Sequence, residues 1–285
     1  MRFASLTVKN WDTLIEKIPR SKTDWMYRAQ AQDWPLSTSL ERACSQSGIL
    51  PSDVPKIEKQ LVRAFRRRYD GADRQYVLAD TVYALSLMQH HGAPTRFLDF
   101  TYSPYVAIFF ALNSLPAGLE HSPVIWCFNR HWCNREIRRI TGEIDLNTID
   151  ILPTGSAEKS DERFHKLYRS SPGNKFFGVE SPFLFHSRLR TQQGVFVCPG
   201  DSTSTTEVNI KAMNGWSEMR FILKIKLNFS KKTRWEIMNH LQNMNITEES
   251  IFPDLDGFCR SLRHRLDYLL SVEDQAESPP KGLAI

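Results

Sequence analysis

The residues best suited to chemistry lie together at 89–112. A helix is predicted to end at 91–94 (His-Gly-Ala-Pro), because glycine accepts the left-handed backbone of a helix end and proline cannot continue the ladder. Residues 95–101 are predicted to form a short strand, after which Ser103 caps the next helix and Pro104 begins it. A polar strand end that meets a helix N-terminus offers N–H groups to an anion such as a phosphate. An ordinary turn whose polar residues only cap the helix explains the pattern equally well.

Two charged side chains of the predicted strand are candidates for contact with a ligand. Arg96 can bind a phosphate, and Asp99 is a carboxylate that can accept a hydrogen bond. The structural alternative is a salt bridge between them, but their odd spacing puts them on opposite faces of a strand. His90 and His91 are candidate bases, although capping a carbonyl is the more common function of a histidine at a helix end.

The composition is that of an ordinary folded protein with a slight excess of positive charge. The 285 residues are 41% hydrophobic and 24% charged, and 37 Lys and Arg against 32 Asp and Glu give a formal charge of +5. This charge permits a nucleic-acid or nucleotide partner without requiring one. We find no hydrophobic signal sequence near the start, and the longest apolar run, 105–112, is too short to span a bilayer.

The five cysteines are odd in number and scattered, with no Cys-x-x-Cys pair. A disulfide framework is therefore not expected, and a reducing cytoplasm is the predicted location. Cys127, His131 and Cys133 are close enough to suggest metal ligands, but no fourth ligand follows at the spacing of a zinc finger. Core packing is the better interpretation of these cysteines, so no metal is expected.

Hydrophobic periodicity predicts an α+β chain without regular alternation of strands and helices. Helices are predicted at 11–18, 55–69, 80–90, 231–241 and 254–270, and strands at 25–30, 124–128, 194–198 and 219–227. The segment 150–178 is polar and rich in Gly, Ser and Pro, so we expect a long loop there. Residues 203–214 are expected to form a loop and a strand, and 273–285 a flexible tail.

The predicted helix at 55–69 carries an arginine cluster, Arg63, Arg66, Arg67 and Arg68. Such a cluster can bind phosphates, but a solvated helix face is the more usual meaning of a basic run. We therefore expect replacement of Arg66 and Arg67 to leave stability nearly unchanged.

Three motifs of the chain resemble the FRG domain family, which is named for a Phe-Arg-Gly signature near its start. They are Tyr-Arg-Ala-Gln at 27–30, Gln-His-x-Gly-x-Pro-Thr-Arg-x-Leu-Asp-x-Thr-x-Ser-Pro at 89–104, and Arg-Thr-Gln-Gln-Gly-Val-Phe at 190–196. The second motif is the most specific. Ala29 departs from the signature glycine, and Phe100 stands where the family usually has tryptophan.

The resemblance extends to Ile-Phe-Pro-Asp-Leu-Asp-Gly at 251–257, which is similar to the closing segment of the family. It therefore covers most of the chain. It implies a single FRG-type domain at 1–272, followed by the tail.

The order of these motifs also resembles that of mono-ADP-ribosyltransferases, which run arginine, Ser-Thr-Ser, then a glutamate motif. Arg28, Thr101 with Ser103, and the pair Gln192-Gln193 stand at the corresponding places. The resemblance implies an α+β fold with a split, mostly antiparallel sheet flanked by helices, and NAD as the substrate. In that chemistry the arginine pairs with phosphate or ribose oxygens, and the third motif stabilises an oxocarbenium-like transition state.

Two sets of site residues follow from this resemblance. The implied catalytic residues are Gln193, Gln192, Arg28 and Asp99. The implied NAD-binding residues are Arg28, Gln30, Thr95, Arg96, Thr101, Ser103 and Phe110. Because glutamine lacks the charge of glutamate, three alternatives stay open: Asp99 or Glu180 supplies a carboxylate, the acceptor is activated differently, or a nucleotide is bound without turnover.

The expected function is the transfer of ADP-ribose from NAD to a macromolecular acceptor, which is either nucleic acid or protein. By analogy, such a chain fits a toxin or phage-defence effector that an inhibitory, antitoxin-like protein holds in check. The alternative is a nucleotide- or RNA-binding sensor without turnover. A nuclease is less well supported, because no carboxylate cluster suggests a metal site, and no membrane partner is expected.

Overall fold

The computed structural model describes residues 2–20, 24–113, 122–142, 156–168, 173–255, 257–259 and 261–262. Their strands are β1 (Ser5–Val8), β2 (Trp25–Gln30), β3 (Leu98–Thr101), β4 (Val124–Asn129), β5 (Phe177–Glu180), β6 (Gly194–Pro199) and β7 (Ile222–Leu227). Their helices are α1 (Trp11–Lys17), α2 (Ser39–Gln46), α3 (Val54–Arg68), α4 (Arg74–Ala79), α5 (Thr81–His90), α6 (Pro104–Asn113), α7 (Arg130–Thr141), α8 (Ala157–Tyr168), α9 (Ser187–Thr191), α10 (Thr206–Lys211), α11 (Lys231–Asn243) and α12 (Glu248–Ile251).

The strands of the described residues form one sheet in the order β1-β7-β4-β2-β3-β6-β5. The pairs are antiparallel except for β1 and β7, which run parallel. The predicted α+β class and the mostly antiparallel sheet are therefore confirmed. No helix within these residues is long and apolar enough to cross a membrane.

The sheet is weakly joined in its middle. β2 pairs with β4 along its whole length, but it pairs with β3 at one position only, where Tyr27 lies opposite Thr101. On its other side, β3 pairs with β6 from Leu98 to Thr101. The sheet thus consists of two blocks, β1-β7-β4-β2 and β3-β6-β5, which share one residue pair. Beyond that pair, the facing backbones of β2 and β3 border a gap.

Alternation along the strands buries a hydrophobic core on each face of the sheet. On one face, Met26 and Trp126 belong to a cluster with residues of α3, α5, α7 and α8. On the other face, Tyr27 and Ile125 pack with residues of α6 and α11. The gap between β2 and β3 therefore lies between two cores that hold both blocks in place.

Local signals predicted the elements around the middle motif well. The last turn of α5 leads into Gly92, whose φ of 81° is the left-handed conformation that glycine tolerates. Ser103 Oγ accepts a hydrogen bond from the Val106 N–H at 3.3 Å, as expected of a residue that caps α6. Only the strand between them is shorter than predicted, because β3 begins at Leu98.

Two predicted elements are wrong. The segment 150–178 contains α8 and the start of β5, whereas we predicted a loop. Phe164 and Leu167 of α8 are buried in the core, but the long polar stretches between its apolar residues hide the helical period. Residues 203–214 contain the helix α10 where a strand was predicted, with Thr205 as its N-cap. The tail at 273–285 and the predicted helical residues 263–270 lie outside the described residues.

Candidate functional site

A cavity of about 280 Å³ opens where β2 and β3 part. Its polar lining residues come from β2, β3, α5, α9 and the segments beside α9; they are Arg28, Ser86, Gln89, His90, Asp99, Thr101, His186, Arg188 and Gln192. Aromatic rings of Phe100, Phe110 and Phe196 form part of the apolar wall. The volume is near the lower end of the range of about 300–1,000 Å³ for ligand pockets. Five of the residues implied by the resemblances line this cavity: Arg28, Asp99, Thr101, Phe110 and Gln192.

Arg28 crosses the gap from β2 towards β3. Its Nη1 donates a hydrogen bond to the backbone carbonyl of Asp99 at 2.9 Å, while its Nε is buried and has no partner among the described residues. Burial lowers the pKa of Arg28; the charge of Asp99 opposes this shift and the charge of Arg42 adds to it. A half-buried guanidinium with an unused, buried donor beside a second cation is suited to bind an anion, since phosphate accepts several charge-assisted hydrogen bonds.

The hydroxyl groups of the middle motif hold the frame of the cavity. Thr101 Oγ1 donates to the carbonyl of Gln192 at 2.7 Å and accepts from the N–H of Ser103 at 3.0 Å. This pair of bonds ties β3 to the start of β6 and to the first turn of α6. Thr101 borders the cavity, whereas Ser103 is buried and does not line it. For these two residues, the capping interpretation of the motif agrees with the hydrogen bonds.

The two glutamines occupy different environments. Gln192 ends α9 and lines the cavity, and its Nε2 donates to the carbonyl of Ile251 at 3.3 Å. Gln193 is exposed outside the cavity and has a φ of 48°, a left-handed conformation. The pair therefore sits in a turn before the strand, and it is Gln192, not Gln193, that faces Arg28 and Thr101 across the site.

A pair of histidines borders the same cavity. The rings of His90 and His186 lie 5.0 Å apart between centroids. His186 Nδ1 accepts a hydrogen bond from the Leu189 N–H at 3.2 Å, so the proton of the neutral ring is on Nε2. Burial, helped by His90 and Arg188, lowers the pKa of His186 to about 4. His186 is therefore a neutral hydrogen-bond donor at pH 7.

The buried Nδ1 of His90 has no hydrogen-bond partner among the described residues. Burial, followed by the charges of His91 and Arg188, lowers the pKa of His90, whereas Asp254 opposes the shift. A neutral imidazole with an unused buried nitrogen can accept a proton or a hydrogen bond from a ligand. The cavity thus combines two guanidinium groups with two neutral imidazoles.

We expect acidification below pH 6.5 to weaken the fold through His186. The histidine has a pKa of 6.5 in the unfolded state and about 4 in the folded state. Between these pH values the unfolded state binds more protons, so the free energy of unfolding decreases as the pH decreases. The loss should be on the order of 1 kcal/mol, because the partly exposed ring is screened by solvent. Urea denaturation between these pH values measures it. His186→Asn keeps a capping side chain and should show a flatter pH dependence; equal slopes would contradict the prediction.

Asp99 is the only carboxylate among the described residues that line the cavity. Its Oδ1 accepts a hydrogen bond from Gln89 Nε2 at 2.7 Å, and Gln89 Oε1 in turn accepts from the hydroxyl of Thr95. A second depression of about 170 Å³ lies beside the cavity and shares Arg28, Gln89 and Asp99 with it. Arg42 of α2 lines this second depression, which therefore holds two guanidinium groups, of Arg28 and Arg42, beside the carboxylate of Asp99.

Several residues implied by the resemblances lie elsewhere. Arg96 is 2% exposed and donates from Nε to Glu58 Oε1 at 2.6 Å, so it is held in the core, away from the cavity. Thr95 is buried behind Gln89, and Gln30 accepts from Trp126 Nε1 at 2.7 Å. These contacts are structural, and none of these three residues lines the cavity.

Glu180, the second carboxylate proposed for the chemistry, is also placed in the core. It is 1% exposed, accepts a hydrogen bond from the Tyr168 hydroxyl at 2.8 Å and pairs with Arg163. It does not line the cavity, so it cannot supply the charge that the glutamines lack. The described residues contain no group of three or more His, Cys, Asp or Glu that could hold a metal, and Cys127 and Cys133 are buried among apolar residues.

Sequence reasoning missed His186 and interpreted Arg188 only as an exposed arginine beside the glutamines, but both line the cavity. Both lie within seven residues of the glutamine pair, in a basic stretch that can equally be exposed. The signal in the sequence is His186 before the short helix α9, with Arg188 two positions later and the glutamine pair close behind. That signal is weak, because the approach of α5 and β2 that completes the site involves residues about 100 or more positions away in sequence.

Comparison with known proteins gives one match. No curated protein and no solved structure matches the chain. The family model of the FRG domain matches residues 23–117, which include β2, α5, β3 and most of the residues that border the gap. The extension of this domain to 1–272 stays a prediction. The match confirms the family resemblance, and the chain contains an FRG domain.

Proposed function

We propose that the protein is an ADP-ribosyltransferase-like enzyme that uses NAD as a substrate and the cavity between β2 and β3 as its active site. The observation that supports this most directly is the convergence of Arg28, Thr101 and Gln192 at the opening of the sheet. These residues come from three distant motifs in the order arginine, hydroxyl, polar pair. The same order is what motivates NAD as the ligand.

In this proposal each side chain acts at a different part of NAD. The guanidinium of Arg28 binds phosphate oxygens, and the aromatic wall near Phe110 accepts the nicotinamide ring. The amide oxygen of Gln192 accepts a hydrogen bond from a ribose hydroxyl. The bond between ribose C1′ and the nicotinamide nitrogen breaks as the acceptor attacks C1′, and nicotinamide leaves as a neutral molecule while the acceptor loses a proton.

The two depressions together fit a dinucleotide better than the cavity alone. The cavity holds about 280 Å³ and the neighbouring depression about 170 Å³, with Arg28 on the wall of both. A ligand that spans them would place its central, negatively charged part at Arg28 and Arg42. This is the arrangement expected for two nucleoside halves joined by phosphates.

The second candidate function is a nucleotide sensor without turnover. Its support is that Asp99, the only carboxylate among the described lining residues, is engaged by Gln89. Without a free carboxylate, the site lacks the electrostatic stabilisation that a positively charged transition state needs, which is worth roughly 3–4 kcal/mol per preorganised contact.

Incubation of the protein with NAD labelled in the nicotinamide ring separates the two functions. Release of labelled nicotinamide supports the enzyme, and saturable binding without release supports the sensor. Neither binding nor release, with or without RNA and protein acceptors added, would contradict both. An inhibitory partner protein stays part of the proposal, and co-expression with genes that suppress toxicity would identify it.

The two glutamines should behave differently when they are replaced one at a time. Gln192→Ala keeps the carbonyl that Thr101 needs but removes the amide in the cavity, so we expect nicotinamide release to fall by about tenfold or more with little change in NAD affinity. Gln193→Ala should leave the rate nearly unchanged, because this side chain is exposed outside the cavity. Steady-state rates and calorimetric binding measure both effects.

Gln192→Glu extends this comparison. A carboxylate at this position would stabilise positive charge that develops on the ribose, so nicotinamide release should increase relative to the wild type. Equal effects of both alanine variants, together with no effect of Gln192→Glu, would contradict the assignment of Gln192.

A further inference from the structure

The exposed face of α3 is strongly basic. It carries five exposed cations, Lys56, Lys59, Arg63, Arg67 and Arg68. The other exposed residues of the helix, Gln60 and Ala64, are uncharged. The one acid of α3, Glu58, is buried and paired with Arg96, so its charge is neutralised inside the protein. We call these five cations the basic face of α3.

The basic face differs from other charged surfaces of the described chain. None of its five cations has an ion pair or a side-chain hydrogen bond within the described residues. Several exposed cations elsewhere have acidic partners, as in Lys211 with Glu207 at 2.8 Å and Arg220 with Glu218 at 2.7 Å. The exposed acids next to α3 in sequence, Asp53 and Asp70, lie at its two ends. The positive potential along this helix is therefore not compensated locally.

The fourth arginine of the cluster shows which part of the helix is structural. Arg66 Nε donates to the carbonyl of Val77 at 2.9 Å, and its Nη2 donates to Thr81 Oγ1 at 3.2 Å. These bonds fasten α3 to the end of α4 and the start of α5. The predicted solvated face thus excludes Arg66, and the remaining cations point away from the core without a structural function in the described contacts.

The spacing of the basic face suits a polymer with regular negative charge. Lys56, Lys59, Arg63 and Arg67 follow at three or four residues and therefore lie on one side of the helix. With a rise of about 1.5 Å per residue, they extend over about 16 Å. One strand of a nucleic acid presents a phosphate about every 3.4 Å of helix axis, so about four or five phosphates lie within reach of this face.

The lack of exposed apolar side chains on the described helix α3 argues against a membrane or a protein as its anionic partner. The exposed face of α3 contains no large hydrophobic side chain; the exposed large hydrophobics of the described chain lie outside residues 54–68. An interfacial membrane helix needs apolar residues to insert, and a protein interface usually centres on buried aromatic or aliphatic anchors. Contact through charge alone is characteristic of a phosphate backbone.

We propose that the basic face of α3 binds the phosphate backbone of a nucleic acid. The helix also connects this surface to the cavity. It packs on α5, whose last residues Gln89 and His90 line the cavity, and Glu58 of α3 holds Arg96 two residues before β3. α3 therefore packs against an element that lines the cavity. Under the proposed function, on which this last step rests, nucleic acid rather than protein is the acceptor.

Fluorescence anisotropy with a labelled single-stranded RNA of about 20 nucleotides tests the surface, because this length exceeds the face of the helix. About four neutralised phosphates predict that log K falls with log salt concentration with a slope near −3. The triple variant Lys59→Gln, Arg63→Gln, Arg67→Gln should bind at least about tenfold more weakly at low salt and lose about two units of this slope. The substituted side chains are exposed, so the fold should be retained, and circular dichroism checks this.

A charge-matched control removes three exposed cations of α1 and α11, which pack on the opposite face of the sheet from α3: Lys17→Gln, Lys231→Gln and Lys232→Gln. It should retain the affinity and the slope. Equal loss in both triple variants would overturn the proposal, because net charge alone would then explain binding. Equal or tighter binding of polyglutamate, or of vesicles with anionic lipids, would also overturn it in favour of a protein or membrane partner.

The same assay separates this surface from the cavity. RNA binding should be unchanged in Arg28→Lys, whatever that variant does to NAD. If NAD labelled in its adenylate phosphate is turned over but the bound RNA receives no label, the assignment of the acceptor fails while the proposed enzyme stands. If the RNA binds as expected and NAD is not used at all, the proposed function fails while the surface stands.

Discussion

Arg96→Ala should destabilise the protein by about 3–5 kcal/mol, which is the usual cost of removing one partner of a buried ion pair. Arg96 is 2% exposed and bonds Glu58 through two nitrogens, and its Nη1 donates to the carbonyl of Tyr168 at 3.2 Å. Its loss leaves the Glu58 carboxylate buried without a cation and an unbonded carbonyl beside it. Urea denaturation of the variant and the wild type measures the difference in the free energy of unfolding.

A double variant tests whether this cost comes from the uncompensated charge. Arg96→Met together with Glu58→Met removes both charges and fills similar volume, so much of the stability should return. A loss below about 1 kcal/mol in Arg96→Ala, together with weaker NAD binding, would restore the earlier hypothesis that Arg96 is a ligand-binding residue.

The position of Arg96 in the core could not be predicted from the sequence, for a simple physical reason. Strand parity was expected to separate Arg96 from Asp99, but β3 begins at Leu98, so Arg96 lies in the bend before the strand, where parity does not apply. Parity does not say which of the two faces the ligand. The deciding contact is Glu58, which lies 38 positions earlier on α3. No local pattern reveals an ion pair at that separation.

Local signals were sufficient elsewhere in the middle motif. Glycine at 92, the capping Ser103 and Pro104 as the first helical residue each act within one turn of backbone. These features made the end of α5 and the start of α6 predictable. The gap in the sheet is different in kind, because it depends on β2 and β3 pairing only at Tyr27 and Thr101.

The candidate site shows the same division between local and distant information. Motif order identified Arg28, Asp99, Thr101, Phe110 and Gln192, all of which line the cavity. It favoured Gln193 over Gln192 as the ribose contact, because the left-handed turn at Gln193 is not visible in a strand-like sequence. It also did not weigh His186, whose contribution depends on the approach of α5.

The largest functional effect is expected at Arg28. Arg28→Lys keeps a positive charge but removes the planar fork that binds two phosphate oxygens, so NAD affinity should fall by at least about tenfold, or 1.4 kcal/mol. Arg28→Met removes the charge as well and should abolish measurable binding. Isothermal titration calorimetry with NAD measures both, and Arg20→Lys, a change at an exposed arginine, is the matched control.

Substitution of Arg28 should affect the free energy of unfolding in a different way from substitution of Arg96. Arg28 has a buried Nε without a partner in the described chain, and burial outweighs the attraction of Asp99, so Arg28→Met should cost little stability or even raise it. A residue that does not stabilise the fold but is needed to bind a ligand serves function at some cost in stability. If the wild type binds NAD, unchanged affinity in Arg28→Lys, or a loss of more than about 3 kcal/mol of stability in Arg28→Met, would show that Arg28, like Arg96, belongs to the scaffold and that the ligand binds elsewhere.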